Sequence, residues 1–360
     1  MAGVYISYPF CAQKCTYCNF ASGVFPRELE TRYMDTILAE LENVDWPWTP
    51  ETVYLGGGTP SQMDPAALAA LLSRIPGRPV EATMEAAPGN LTAEKIAAWT
   101  RAGINRVSLG VQSFNPKELA RTGRKHTAEI VEREIGLLRA GGIESINVDL
   151  IAGLPGQTPA SWRDSLDWVE KLGAPHVSVY MLEVDEDSRL GRELLVLGSR
   201  YGAGEVPDED AIADFYEEAV ERLAGMGIQR YEISNFARAG FESRHNLKYW
   251  KREPYLGLGA DAHSFDGDSR WQNPETAADY VASPRPVERT AADALSEKFF
   301  LGLRLSEGIE SDAFTAAFAE VMERFVRDGL LERAGARIRL TSRGVMLSNE
   351  VFAEFMPVLK

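Results

Sequence analysis

Six short runs rich in β-branched residues, separated by stretches of helical spacing, fill the first half of this chain and restrict its fold more than any other feature. They are VYISY (4–8), TVYLGG (52–57), EATMEA (81–86), RVSLGVQS (106–113), SINVDLIAG (145–153) and HVSVYMLE (176–183). Between the first two, residues 27–44 put Leu29, Tyr33, Ile37 and Leu41 on one helical face. Residues 64–75, 92–103, 127–142 and 159–173 repeat that pattern. Asp64, Thr92, Thr127 and Thr158 are the expected N-caps, because a short oxygen-bearing side chain accepts from the free first-turn N–H groups. Gly103, Gly141 and Gly173 are the expected helix stops. Strands that alternate with helices predict a parallel sheet. Nearly every run ends in a polar or glycine-rich cluster. That is where a βα barrel keeps its chemistry, so the expectation leans toward a barrel.

Beyond residue 184 the rhythm changes. Residues 184–205 read as a loop with one short helix, 208–227 as an amphipathic helix and RYEISNFA (230–237) as a strand. Residues 243–265 are aromatic, glycine-rich and irregular. From about Thr290 the tail carries helices and then LLERAGARIRLTSRG (330–344), a winged-helix-like pattern. The expected organisation is a barrel over 1–200, an extension over 201–288 and a C-terminal α+β unit over 289–360.

The formal net charge of −15 argues against a protein that lives on nucleic acid, and the tail therefore reads as a packing or interaction module. No run approaches the length of a membrane span. A strand-like GVYISY begins at Gly3, where a leader peptide would stand. The expected location is the cytoplasm.

All three cysteines, Cys11, Cys15 and Cys18, fall in the loop after the first run, YPFCAQKCTYCNF. Clustered cysteines in an intracellular chain read as metal or redox ligands. A structural zinc site takes four ligands, and there is no second cysteine pair. A [4Fe–4S] cluster held by three thiolates keeps one iron open to a small molecule. The spacing Cys-x3-Cys-x2-Cys resembles the radical S-adenosylmethionine (SAM) superfamily. A zinc knuckle or three incidental thiols are the alternatives.

The resemblance implies a partial (β/α)6 barrel with a C-terminal α+β domain, and SAM on the open iron. Gly57, Gly58 and Thr59 of GGGTPS would contact its amino group. Arg124 suits its carboxylate, since a guanidinium binds carboxylates bidentately. Glu85, Gln112 and Asp149 are polar groups in apolar strands, where burial without partners is costly. Placed at successive strand ends, they favour one ligand. Tyr5 and Tyr17 would line the same site, Tyr17 stacking on adenine.

The order of YISYPFCAQKCTYCNF, YLGGGTPS, EAAPGN, RVSLGVQSF, DLIAGLPGQT and SVYMLE resembles the oxygen-independent coproporphyrinogen III oxidase group. Its decarboxylating branch has a further cysteine two positions after the third, where this chain has Phe20. The HemW-type heme chaperone branch lacks it and carries H-N-x-x-Y-W, present as His245, Asn246, Tyr249 and Trp250. Ser7 stands where that group usually has histidine. The expected function is to bind heme and pass it to an acceptor protein, with an electron donor serving the cluster. Coproporphyrinogen decarboxylation is the rival, and a radical SAM nucleic-acid modifier fits the acidic charge poorly. Of the four histidines, His245 is the expected heme ligand. Tyr249, Trp250, Tyr255 and Phe265 would stack on the macrocycle, and Lys248, Lys251 and Arg252 would meet its propionates.

Overall fold

A computed structural model describes residues 2–312 and 315–356. The six runs form parallel neighbours in sequence order: β1 (Ala2–Tyr8), β2 (Pro50–Gly57), β3 (Glu81–Ala86), β4 (Arg106–Gln112), β5 (Ser145–Ala152) and β6 (His176–Met181). The helices between them are α1 (Arg27–Glu42), α2 (Pro65–Leu72), α3 (Ala93–Ala102), α4 (Pro116–Thr122), α5 (Ala128–Ala140) and α6 (Pro159–Leu172). Only α4 has no counterpart in the sequence reading. Each expected N-cap accepts first-turn N–H groups: Asp64 from Ala66 and Ala67, Thr92 from Lys95, Thr127 from Ile130 and Thr158 from Ser161. Gly103 and Gly173 take the left-handed conformation that ends a helix. After α5 that task falls to Gly142 rather than Gly141.

Strand alternation sorts the residues by face. Val4, Ile6, Val53, Leu55, Met84, Val107, Leu109, Ile146, Val148, Leu150 and Val177 are almost fully buried, in one core with Ile37, Leu68, Ile96, Trp99, Val131, Leu138 and Trp162 of the helices. The opposite phase is polar. Tyr5 lies beside Tyr54, Tyr54 beside Thr83, and Thr83 beside Arg106; Glu85 lies beside Ser108, Ser108 beside Asn147, and Asn147 beside His176. Parallel strands covered on both faces read as unbroken apolar runs. These alternate because one face packs under helices and the other lines the interior of an open barrel.

The remaining helices are α7 (Arg189–Leu195), α8 (Glu209–Gly225), α9 (Arg244–Trp250), α10 (Ala277–Ala282), α11 (Ala294–Gly302), α12 (Ala319–Arg327), α13 (Ser342–Met346) and α14 (Ser348–Ala353). Beyond β6 the sheet is extended by the hairpin β7 (Gln229–Arg230) and β8 (Asn235–Ala237). The run 230–237 is thus two short strands rather than one, with Tyr231 N–H turning back onto the Asn235 carbonyl. On the other side β9 (Tyr255–Leu258) pairs parallel with β1, and β10 (His263–Phe265), β11 (Ser269–Gln272) and β12 (Glu288–Ala291) follow antiparallel. The result is one twelve-stranded sheet of order β12-β11-β10-β9-β1-β2-β3-β4-β5-β6-β8-β7, open rather than closed. Residues 201–288 therefore share the sheet of the barrel.

In the C-terminal unit β13 (Ile309–Glu310), β14 (Leu331–Ala334) and β15 (Arg337–Leu340) form a separate sheet of order β13-β15-β14. The sequence helix, strand, helix, hairpin is the winged-helix-like arrangement expected. Phe299 stacks on Phe355 at 4.3 Å in its core. Among the described residues no helix is long and apolar enough to cross a membrane.

Candidate functional site

The three cysteines lie half-buried in the loop that leaves β1 at the C-terminal end of the parallel strands. Backbone hydrogen bonds pin that loop on several sides. Cys11 N–H donates to the Gly23 carbonyl (2.8 Å), Gly23 N–H to Pro9 (2.9 Å), Thr59 N–H to Phe10 (2.9 Å) and Leu190 N–H to Thr16 (2.8 Å). A Cβ at Gly58 would stand 2.7 Å from the Phe10 carbonyl oxygen, so only glycine lets β2 pass this close. Burial raises the Cys11 thiol above its usual range, opposed by the Thr59 and Ser22 hydroxyls. Among the described residues no three His, Cys, Asp or Glu side chains are grouped to hold a metal ion. Three cysteines carried on one short loop suit a [4Fe–4S] cluster, whose thiolates sit on separate irons.

Arg124 follows α4 and reaches back over this loop. Its Nη1 donates to the Gly110 carbonyl (2.5 Å) and its Nη2 lies 3.5 Å from the Tyr17 hydroxyl. Its Nε is buried and has no partner. Nearby, Gln112 ends β4 with φ of 69°, a left-handed conformation uncommon outside glycine. A guanidinium with an idle N–H beside the cysteine loop is the donor that a carboxylate calls for.

Deeper in the barrel, Glu85 accepts from the Tyr54 hydroxyl (2.9 Å) and from Gly57 N–H (3.2 Å). Desolvation raises its carboxyl to about 7, with Asp149 adding repulsion and Tyr54, Gly57 and Arg106 opposing. Asp149 lies within β5 rather than at its end; it accepts from Asn147 Nδ2 (2.7 Å) and Ser108 Oγ (3.2 Å). Burial raises its carboxyl too. The fold thus brings Gly57, Glu85, Asp149 and Tyr5 to the barrel interior. It sets Cys11, Cys15, Cys18, Gly58, Thr59, Tyr17, Gln112 and Arg124 around the rim.

Sequence reasoning passed over the rest of this interior. Asn147 Oδ1 meets His176 Nδ1 (2.7 Å), and His176 Nε2 meets the Tyr231 hydroxyl (2.9 Å). Arg106 is 2% exposed, and its Nε has no partner. Tyr180, in the same phase as Ser178 on β6, is 43% exposed. The signal was present in the alternation: Tyr54, Arg106, Ser108, Asn147 and Ser178 all sit in the phase opposite the apolar core.

His245, the expected heme ligand, is 1% exposed in α9, against the N-terminal end of β1 and β2. Its Nδ1 meets Thr52 Oγ1 (2.8 Å), its Nε2 meets the Tyr249 hydroxyl (2.8 Å), and its ring stacks on Tyr54 at 5.2 Å. Burial pushes its pKa down to about 3, with Lys248 and Arg106 adding to the effect. Both ring nitrogens are thus hydrogen-bonded. The neighbours are equally committed. Lys248 pairs with Glu51 and Glu253, Arg252 with Glu297, and Trp250 lies under Arg304. The Glu81 carboxylate accepts Arg244 N–H (3.0 Å) and His245 N–H (2.9 Å), holding the start of α9 against β3. The H-N-x-x-Y-W segment is a plug at the base of the barrel.

Comparison with known proteins agrees with this architecture. Residues 5–169 match the radical SAM superfamily, and 290–347 match the HemN C-terminal domain. The fold of Escherichia coli coproporphyrinogen III oxidase HemN, a radical SAM enzyme, covers 98% of this chain and 89% of that one, with a TM-score of 0.83 at 21% identity. The heme chaperone HemW of Lactococcus lactis is 33% identical across 98% of this chain and 96% of its own. That of Mycobacterium tuberculosis is 37% identical across 97% and 93%. The E. coli protein is 32% identical across 98% and 97%. With barrel, plug and C-terminal unit all spanned by such relatives, this chain belongs to the HemW family of radical SAM proteins, whose superfamily implies a [4Fe–4S] cluster and SAM.

Proposed function

We propose that this protein is a cytoplasmic heme chaperone, binding heme and passing it to an acceptor protein. The observation that carries the reading is end-to-end likeness to relatives named heme chaperone, at 33% and 37% identity. Phe20, where a decarboxylating enzyme would have a fourth cysteine, supports it. In this reading Cys11, Cys15 and Cys18 hold the cluster, and a partner protein serves as its electron donor. Bound there, the cluster supplies one-electron reduction to SAM.

The chain's own residues do the holding. Arg124 receives the SAM carboxylate on its idle Nε–H. The segment Gly57–Thr59 offers backbone groups to the amino end, and Glu85, Gln112 and Asp149 supply acceptors. Tyr5 and Tyr17 give the ligand apolar surface. The barrel proper corresponds to residues 1–200, with 201–288 as its extension and 289–360 as a distinct C-terminal unit.

The test is anaerobic reconstitution followed by titration with heme and with SAM. About four irons and four sulfides per chain are expected, lost in Cys15→Ala, together with a Soret band that saturates with heme. Release of carbon dioxide from coproporphyrinogen by a protein that binds no heme would overturn the reading in favour of the oxidase.

A further inference from the structure

One side chain inside the barrel carries a charge that nothing meets. Arg106 begins β4, where Val107, Leu109 and Val111 turn to the helices, so Arg106, Ser108 and Gly110 face the interior. It is 2% exposed, yet its guanidinium makes no hydrogen bond and no ion pair with any described residue. Its Nε is fully enclosed, while the two Nη groups, equally unbonded, open onto the space inside the barrel. Beside it in register, the Thr83 hydroxyl is also buried without a partner. A buried guanidinium is costly to keep unless an acceptor meets it.

The surrounding residues do not supply that acceptor. The interior carboxylates are engaged elsewhere: Glu81 caps α9, Glu85 accepts from Tyr54 and Gly57, and Asp149 accepts from Asn147 and Ser108. Burial raises the carboxyls of Glu85 and Asp149, and Arg106 opposes it more weakly than their own hydrogen bonds do. Arg106 is therefore not their close counter-ion. The Tyr231 hydroxyl is committed to His176 Nε2 (2.9 Å). No second cation is at hand either. Strands β1 to β6 contain no lysine and no other arginine, and burial, with Arg106 adding to it, holds His176 well below its usual range and so neutral.

These surroundings define the missing group. A dianion such as phosphate would find one guanidinium and the repulsion of Glu85 and Asp149. A carboxylate carries a single charge, and its two oxygens match the planar fork of the Nη–H groups. The floor of the chamber is closed by α9, whose His245 ring stacks on Tyr54. The carboxylate end of a ligand would thus lie deepest, with the rest pointing away from that floor.

We propose that Arg106 is the seat of a second small-molecule site, one that binds the carboxylate of a monoanionic organic acid inside the barrel, apart from SAM. The inference does not depend on the chaperone reading. Sodium propionate is the probe, titrated into reconstituted protein at neutral pH and constant ionic strength, with thermal unfolding as the readout. The melting temperature of the parent should rise and saturate with propionate, but not with phosphate or chloride. Arg106→Met should abolish the response. Arg106→Lys should weaken it on the order of tenfold, because a point charge replaces a bidentate fork. Iron and sulfide content verifies the fold of each variant, and if Arg106→Met fails that check the Arg106→Lys comparison decides. Saturating SAM should leave the propionate midpoint unchanged. Hemin and its dimethyl ester tell a free acid from the arm of a tetrapyrrole, since only in the second case does hemin, and not the ester, displace propionate. No saturable rise in the parent, an equal rise with phosphate, a parent-like response in either variant, or displacement of propionate by SAM overturns the site. Any of these returns Arg106 to the role of a distant counter-charge for Glu85 and Asp149.

Discussion

Replacing Glu85 with glutamine should make the apoprotein more stable at pH 8 relative to its parent than at pH 5.5. Folded Glu85 keeps its proton to about pH 7, chiefly because burial disfavours the carboxylate. The unfolded carboxyl gives it up near the usual 4.5. Between those values the folded state binds more protons than the unfolded one, so stability falls as pH rises and the loss is complete above about 7. At ~1.36 kcal/mol per pH unit, the full span is worth ~3.4 kcal/mol, and the part between pH 5.5 and 7 about 2 kcal/mol. Glutamine has no such loss. Its oxygen still accepts from Tyr54, but its amide faces Gly57 N–H, at a pH-independent cost of about 1–3 kcal/mol. The signature is therefore the difference between the two pH values rather than either alone. Urea unfolding of parent and Glu85→Gln at pH 5.5 and 8 should show the variant gaining about 2 kcal/mol on its parent across that interval. Solvent entering the open barrel reduces the figure without changing its sign. An equal offset at both pH values, or a loss at the higher one, refutes a proton held by burial.

Arg124→Ala should weaken SAM binding by about 1.5–3 kcal/mol, one charge-assisted hydrogen bond, while iron content stays at the parent level; equilibrium dialysis against SAM measures it. His245→Ala should destabilise the protein by roughly 2–4 kcal/mol, because Thr52 and Tyr249 both lose a buried partner. Urea midpoints of that variant, read beside those of exposed His263→Ala, tell a structural histidine from a free one. Gly58→Ala should lower cluster content after reconstitution, because its Cβ would press the Phe10 carbonyl 2.7 Å away and displace the loop that carries Cys11.

How much of this was legible differs from level to level for physical reasons. Helix starts read well, since an N-cap bond spans three residues: Asp64, Thr92, Thr127 and Thr158 all do what their residue types imply. The six parallel strands read well because each is one short run. The parallel pairing of β9 with β1 did not, because contacts between residues 3–6 and 255–258 leave no local periodicity. Residues 243–250 looked irregular because seven helical residues hold too few turns to show a stripe, and their N-terminus is held by Glu81, more than 150 positions earlier. The cysteine loop and Arg124 were singled out from residue types together with a resemblance, and the fold sets Arg124 beside Tyr17 of that loop. Arg106, Asn147 and His176 were missed because a polar residue in a strand looks alike whether it faces a ligand chamber or water. His245 shows the converse: a histidine among aromatics looks the same in sequence whether its ring is open or bonded at both nitrogens.

The flanking of β1 by β2 on one side and β9 on the other sets an order of events during synthesis. β9 leaves the ribosome about 250 residues after β1. At ~5–20 residues per second, that interval lasts roughly 12–50 s. Throughout it, β1 is an edge strand with one row of N–H and C=O groups unpaired, and the cysteine loop hangs from its end. The turn at Gly259 that rests on Ser7 has not yet been made. The end of the barrel that carries the cysteine loop is thus translated well before it is finished, so any ligand that reaches the loop before β9 has docked meets a half-built pocket.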